Sequence, residues 1–172
     1  GTTGRPKGVA YSHRSTIIHT LVGAMPDFWG LSAKSSVMPA TPMFHANCWG
    51  IPYACVMLGT KLVFPGPHLH PEDLLSLMAA EQPSYVLGVP TIWMSMAQLL
   101  ESNPQKYKLP PGVRMLVGGA AMPEALIRTY AKHGASVTQG WGMTEMSPLG
   151  TVSYLRPELQ GATDDEKFRR YA

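Results

Sequence analysis

Short apolar runs of strand type recur along this chain at a fairly even interval, with helical patterns between them. The runs fall at residues 36–39, 61–64, 85–89, 114–117 and 136–138. Helices are expected to open at or near Pro71, Pro90 and Pro123, because proline at the first helical position gives up an N–H that would have no partner there anyway. Apolar residues follow each of them at spacings of three or four. The strand runs are nearly continuous rather than alternating, which is what a parallel sheet covered on both faces requires. Strand and helix in alternation, joined by loops of a few residues, predict an α/β fold: a doubly wound, mostly parallel sheet with helices on both faces and no internal domain boundary. In such a sheet ligands bind in the crevice beyond the carboxyl ends of the strands. The loops expected there, 40–49, 88–91, 118–123 and 139–147, are the chain's richest in Gly, His, Trp and acid.

Composition narrows the class. With 172 residues and 45% of them apolar, the chain can build a sizeable core, which excludes general disorder. The 17 Gly and 16 Pro are aperiodic, so neither collagen nor a low-complexity linker fits. A net charge of +3 from 14 basic and 11 acidic residues forms no stripe of the kind that binds nucleic acid or an anionic surface. The stretch 35–60 has no charged residue and is long enough for a membrane span, yet Pro39, Pro42 and Pro52 with His45 and Asn47 interrupt it. A buried strand followed by a buried helix is the expectation there. Cys48 and Cys55 lack CxxC spacing and are expected to be buried free thiols of a reducing compartment, hence a cytoplasmic location. Charged residues make up only 15% of the chain, against about 25% in an average domain. The first residues are Gly-Thr-Thr-Gly with no Met or leader, and the last lie within a charged helical pattern. The expectation is an internal piece of a longer protein.

Four segments carry candidate chemistry. Gly1-Thr2-Thr3-Gly4-Arg5-Pro6-Lys7-Gly8 combines small residues, hydroxyls and a cation, which suits a phosphate cradle; a Gly-rich surface hairpin is the plain alternative. Gln139-Gly140-Trp141-Gly142-Met143-Thr144-Glu145 follows the last strand run. Its lone carboxylate could hold Mg²⁺ against phosphate, or Glu145 could simply open a helix capped by Thr144. Trp141 offers a flat face for a base, although a core aromatic is the commoner role. His45 could touch a substrate carboxylate, with Trp49 one turn further on if a helix starts near Ala46; a hydrogen-bonded core histidine is the alternative. Gly118, Gly119 and Ala120 leave a strand end without bulk, either for a flat ligand or for a tight turn. His68 and His70 lack a third ligand, so no zinc site is expected.

Together, in this order and spacing, these segments resemble the nucleotide-binding core of the adenylate-forming superfamily, the AMP-binding acyl-CoA synthetases, adenylation domains and luciferases. Residues 11–14, 42–45, 88–91 and 118–119 are similar to bacterial medium- and long-chain fatty-acid–CoA ligases. The resemblance implies that residues 1–172 are part of the AMP-binding domain, from the phosphate loop to just past the Thr-Glu pair, with the C-terminal domain and its catalytic lysine absent and the piece alone inactive. It implies ATP, Mg²⁺ and coenzyme A as cofactors, a fatty acid as substrate, and a two-step ligation through an acyl-adenylate. By the same resemblance Gly1, Thr2, Thr3, Gly4 and Lys7 would bind phosphate. Thr144 and Glu145 would act at the α-phosphate and Mg²⁺. Gly118, Gly119, Ala120, Gln139, Gly140, Trp141 and Gly142 would wall the nucleotide. His45, Trp49, Val89 and Gly118 would meet the acid, with Ile51 and Trp93 further along the acyl tunnel. Trp141 stands where the family commonly has Tyr. A short thioether acid such as 3-methylmercaptopropionate is the alternative substrate, and a non-catalytic nucleotide-binding homologue the alternative function. A homodimer and peripheral membrane association are further expectations from relatives.

Overall fold

The structure, a computed structural model, describes residues 4, 5, 7–159 and 161–171. Its centre is a six-stranded sheet of order β2-β1-β3-β4-β5-β6. The strands are β1 (Ser36–Pro39), β2 (Lys61–Leu62), β3 (Tyr85–Gly88), β4 (Arg114–Val117), β5 (Ser136–Gly142) and β6 (Leu149–Val152). The first five are parallel, and β6 pairs antiparallel with β5. The fold is the doubly wound, mostly parallel α/β sheet expected from the run pattern.

Alternate strand residues feed two cores. On one face Met38, Val86, Met115 and Val117 pack with Leu74, Leu75 and Met78 of α3 (Pro71–Glu81), Trp93, Met96 and Leu100 of α4 (Pro90–Ser102), and Ile127 and Tyr130 of α5 (Glu124–Lys132). On the other face Val37, Tyr85, Leu87 and Leu116 pack with Trp29, Leu31, Trp49 and the α2 helix (Ile51–Leu58) through Ile51, Ala54 and Cys55. Every residue of β3 is buried, which explains the unbroken apolar run. The Tyr130 hydroxyl donates to the Trp93 carbonyl at 2.8 Å inside the first core. The charged tail forms α6 (Asp164–Tyr171), which docks on α5 where Arg128 pairs with Asp165 and lies over the Phe168 ring.

Four elements depart from the sequence reading. Helix α1 (His13–Gly23) was not expected. Its apolar residues Ile17, Ile18 and Leu21 are exposed and its buried residues are Thr20 and Gly23, so the periodicity that marks a helix by its core face is missing. The local signal that could have found it is the Ser12 side chain, which caps the helix by accepting the Ser15 N–H at 3.0 Å. Strand β6 was missed, and β5 runs on to Gly142 because pairing with β6 extends it beyond residue 138. At the edge, β2 stops at Leu62 while Phe64 is half exposed. Among the described residues no helix is long and apolar enough to cross a membrane.

Truncating Leu100 to Ala in the first core is expected to cost about 2–5 kcal/mol, and Tyr130→Phe only about 1 kcal/mol for its lost hydrogen bond. Urea unfolding midpoints of the chain check both, and equal losses for the two variants would contradict this account of the core.

Candidate nucleotide and acid site

A cavity of about 280 Å³ opens where the carboxyl ends of the central strands meet. Its wall comes from three separate loops: His45, Ala46 and Trp49 after β1, Gly118 and Gly119 after β4, and Gly140, Gly142, Met143, Thr144, Pro148 and Leu149 around the end of β5. Thr144 is part of that wall. The structure therefore brings together seven residues singled out as cofactor or substrate contacts, among them Trp49, Gly140 and Gly142.

The glycines are there for close approach. A Cβ on Gly118 would lie 3.1 Å from the Trp49 ring and 3.3 Å from the Gly140 carbonyl. A Cβ on Gly142 would overlap the Pro148 carbonyl oxygen. Bare backbone at these positions is what lets the Trp49 ring and the 143–149 loop close around the cavity.

The path from His45 to Trp49 is not the helix expected from its spacing. Ala46, Asn47, Cys48 and Trp49 run at φ 46, 54, 53 and 56, and Gly50 at φ 78. This left-handed turn costs about 1–2 kcal/mol for each non-glycine residue. It is held by the Cys48 N–H on the His45 carbonyl at 3.0 Å, the Gly50 N–H on the Asn47 carbonyl at 3.1 Å, and the Cys48 thiol on the Thr41 carbonyl at 3.2 Å. Burial of Cys48 and Trp49 anchors it. Both cysteines are free and buried, and burial pushes their thiols up to about 12 for Cys48 and about 11 for Cys55, which removes them as nucleophiles.

Other expected residues lie around the cavity rather than in its wall. Val89 sits behind Gly119, where a Cβ would meet it at 3.2 Å. The Gln139 side chain accepts the Met122 N–H at 2.8 Å, tying β5 to the loop after β4. Ala120 and Trp141 are exposed beside that wall. Ile51 and Trp93, expected along the acyl tunnel, are fully buried in opposite cores. Thr144 caps no helix, since the 3₁₀ turn Thr144–Met146 has Met143 as its cap residue and no side-chain cap bond. Glu145 stands exposed, and no described residue forms an ion pair with it. Lys7 and Gly4 are exposed, while Gly1, Thr2 and Thr3 lie outside the described residues. Among the described residues no three of His, Cys, Asp or Glu come together as a metal cluster.

Two side chains to which sequence reasoning gave no role join this site to α1 and the residues just before it. The Tyr11 hydroxyl donates to the Thr144 carbonyl at 2.5 Å. Burial first, then the Glu145 and Tyr53 charges, hold its phenol above the ordinary tyrosine value. The His19 Nε2 accepts the Leu149 N–H at 3.1 Å, which requires a neutral ring with its proton on Nδ1. Burial holds His19 below the ordinary histidine value.

The family model described as "AMP-binding enzyme" matches residues 1–170. The chain belongs to the AMP-binding enzyme family. It is 42% identical over 168 residues to a long-chain-fatty-acid–CoA ligase of Thermus thermophilus, an alignment that covers 98% of this chain and 31% of that protein. It is 47% identical over 154 residues to a 3-methylmercaptopropionyl-CoA ligase of Ruegeria lacuscaerulensis, covering 89% and 28% respectively. In three dimensions it is similar to the crystal structure of the N-terminal domain of FACL13 from Mycobacterium tuberculosis. That match has a TM-score of 0.79 and 27% identity, over 97% of this chain and 39% of that one. This member of the family thus spans less than a third of the length of both curated relatives.

A histidine held below its ordinary value binds its proton more readily in the unfolded chain. Stability is then full above about pH 6.5 and falls as the pH drops through the window below it. The Tm of the chain is expected to fall between about pH 7 and pH 5, and the fall to shrink in His19→Gln. An unchanged pH slope in that variant would remove His19 from the account.

Proposed function

We propose that this chain is the part of an ATP-dependent acid–thiol ligase that holds ATP and the carboxylic acid during adenylate formation. The observation that carries the reading is the single cavity walled by His45 and Trp49, Gly118 and Gly119, Gly140 and Gly142, and Thr144, which sequence places in three distant segments. The whole ligase would join a fatty acid to coenzyme A, in line with the activity named for the Thermus relative.

In this reading an oxygen of the acid carboxylate attacks the α-phosphorus of ATP, and the bond to pyrophosphate breaks. The developing charge must be met by fixed donors and cations. Gly1, Thr2, Thr3 and Gly4 would offer amides and hydroxyls to the β- and γ-phosphates, with Lys7 as a point charge. The Thr144 hydroxyl would touch the α-phosphate. Glu145 fits a Mg²⁺ site, being exposed, unpaired among the described residues and free of competing cluster ligands, since Mg²⁺ is usually held by one or two carboxylates plus phosphate. The bound ion would supply charge neutralisation of the phosphates. Gly118, Gly119 and Ala120 would leave room for adenine, with Gln139, Gly140, Trp141 and Gly142 on its other side. His45 would lie beside the acid carboxylate. Trp49, with Val89 behind Gly119, would bound the acyl group. The thiol of coenzyme A would then attack the acyl carbon of the adenylate, forming the thioester as the bond to AMP breaks and AMP and the thiol proton leave. The Thr144 and Glu145 roles, the dimer and any peripheral membrane contact rest on family likeness.

A second substrate reading has its own support. The cavity volume of about 280 Å³ falls just under the roughly 300–1,000 Å³ typical of small-molecule sites, and the Trp49 ring closes one side of it. With the Trp49 ring as one boundary of the acyl group, a short acid of the kind named for the Ruegeria relative is the second reading.

Pyrophosphate release by the full-length ligase, with ATP, Mg²⁺ and acids from short thioether to long fatty chains, tests the proposal. Acid-dependent release is expected, and Glu145→Ala is expected to lower kcat/KM about 10²-fold or more. Release that ignores the Glu145 change, or none with any acid from folded protein, would leave a nucleotide-binding scaffold as the better description. The acid with the highest kcat/KM separates the two substrate readings.

A further inference from the structure

The loop that carries Thr144 and Glu145 leaves β5 at Gly142 and rejoins the sheet at Leu149. It passes through a left-handed Ser147 at φ 73 and is exposed over residues 143–146. Its own bonds are local: Met143 N–H to the Pro148 carbonyl at 3.0 Å and Met146 N–H to the Met143 carbonyl at 2.9 Å. Bonds that fix it against a distant part of the chain come from the segment that follows Lys7. Tyr11 reaches the Thr144 carbonyl across 133 residues, and His19 takes the Leu149 N–H across 130. These contacts hold opposite ends of the same loop.

The His19 ring does more than accept one bond. A Cβ on Gly50 would lie 2.9 Å from its Cε1, so the imidazole is packed on the residue that ends the left-handed turn carrying Trp49. Its centroid lies 5.7 Å from that of Trp29, edge to face. One ring therefore spans the cavity wall at Leu149 and the support of Trp49. The other end of the loop differs, since Tyr11 engages the residue next to the Glu145 carboxylate.

We propose that Tyr11 and His19 are positioning residues, a two-point clamp by which the segment after the phosphate-type loop places Glu145 at one end and the acid-side cavity wall at the other. The contacts stand on geometry, while their division of labour rests on the adenylation reading above. Tyr11 governs the geometry of the phosphate and Mg²⁺ end. His19 governs the Leu149 and Trp49 end, where the acid binds.

The test compares Tyr11→Phe, His19→Leu and His19→Gln in the full-length ligase, the last keeping a side-chain oxygen acceptor. Tyr11→Phe is expected to raise KM for ATP·Mg²⁺ about five- to tenfold, the scale of one lost hydrogen bond, with KM for the acid changed less than about twofold. His19→Leu is expected to do the reverse, and His19→Gln to restore most of it. Deuterium exchange of the 143–150 backbone is expected to quicken in Tyr11→Phe and His19→Leu but not in α4, the internal control for folding. Both KM values moving together in both variants, or wild-type exchange across 143–150, would overturn the clamp. Should wild type itself release no pyrophosphate, the adenylation reading falls and the exchange comparison alone decides the clamp. Should His19→Leu fail to fold, Tyr11→Phe and His19→Gln still decide it.

Discussion

With β1, β3 and β4 covered on both faces, the central strands show solvent only the partly buried Ser36 and Arg114 at their amino ends, so anything that binds the sheet must do so at strand ends. At the carboxyl ends the chain leaves the sheet through glycine-rich or tightly turned loops, and the cavity forms where three of them converge. The two cores also settle which residues are free to serve it. Trp93 and Ile51 are consumed by packing, whereas His45, Thr144 and Glu145 stand outside both cores.

The left-handed turn from Ala46 to Gly50 is the costly element of this arrangement. Its non-glycine residues carry about 1–2 kcal/mol of backbone strain apiece, whereas burying a tryptophan of 150–250 Å² yields about 4–6 kcal/mol. Trp49 is 8% exposed, so the anchor and the strain are of similar size. A conformation balanced in this way depends on its neighbours, and His19 packed against Gly50 is one of them.

How far the fold was legible follows from where each element gets its stability. Strands β1 and β4 match the apolar runs end for end and β3 differs by one residue, because two-sided burial writes itself into consecutive residues. Helices α3 and α4 open on Pro71 and Pro90, and α5 just after Pro123. Helix α1 did not show because its apolar side faces outward, and β6 because residues 149–152 become a strand only through pairing with β5. The site was half legible. The composition of the loops flagged His45, Trp49, Gly118 and Thr144, all of which meet at the cavity. Tyr11 and His19 did not stand out, since their role depends on contacts across 133 and 130 residues that no local pattern encodes. The left-handed turn was hidden for another reason: of Ala, Asn, Cys and Trp only Asn favours a positive φ, and one Asn does not announce a run of four.

The near contact between Gly118 and the Trp49 ring has an evolutionary reading. These two positions compete for one volume at the cavity wall, so neither can be varied freely while the other is held. A methyl at 118 would press the ring at 49 aside by a few tenths of an ångström, so the effects of changes at the two positions are coupled rather than additive. Remodelling of this pocket therefore proceeds by epistasis between a missing side chain and a large one.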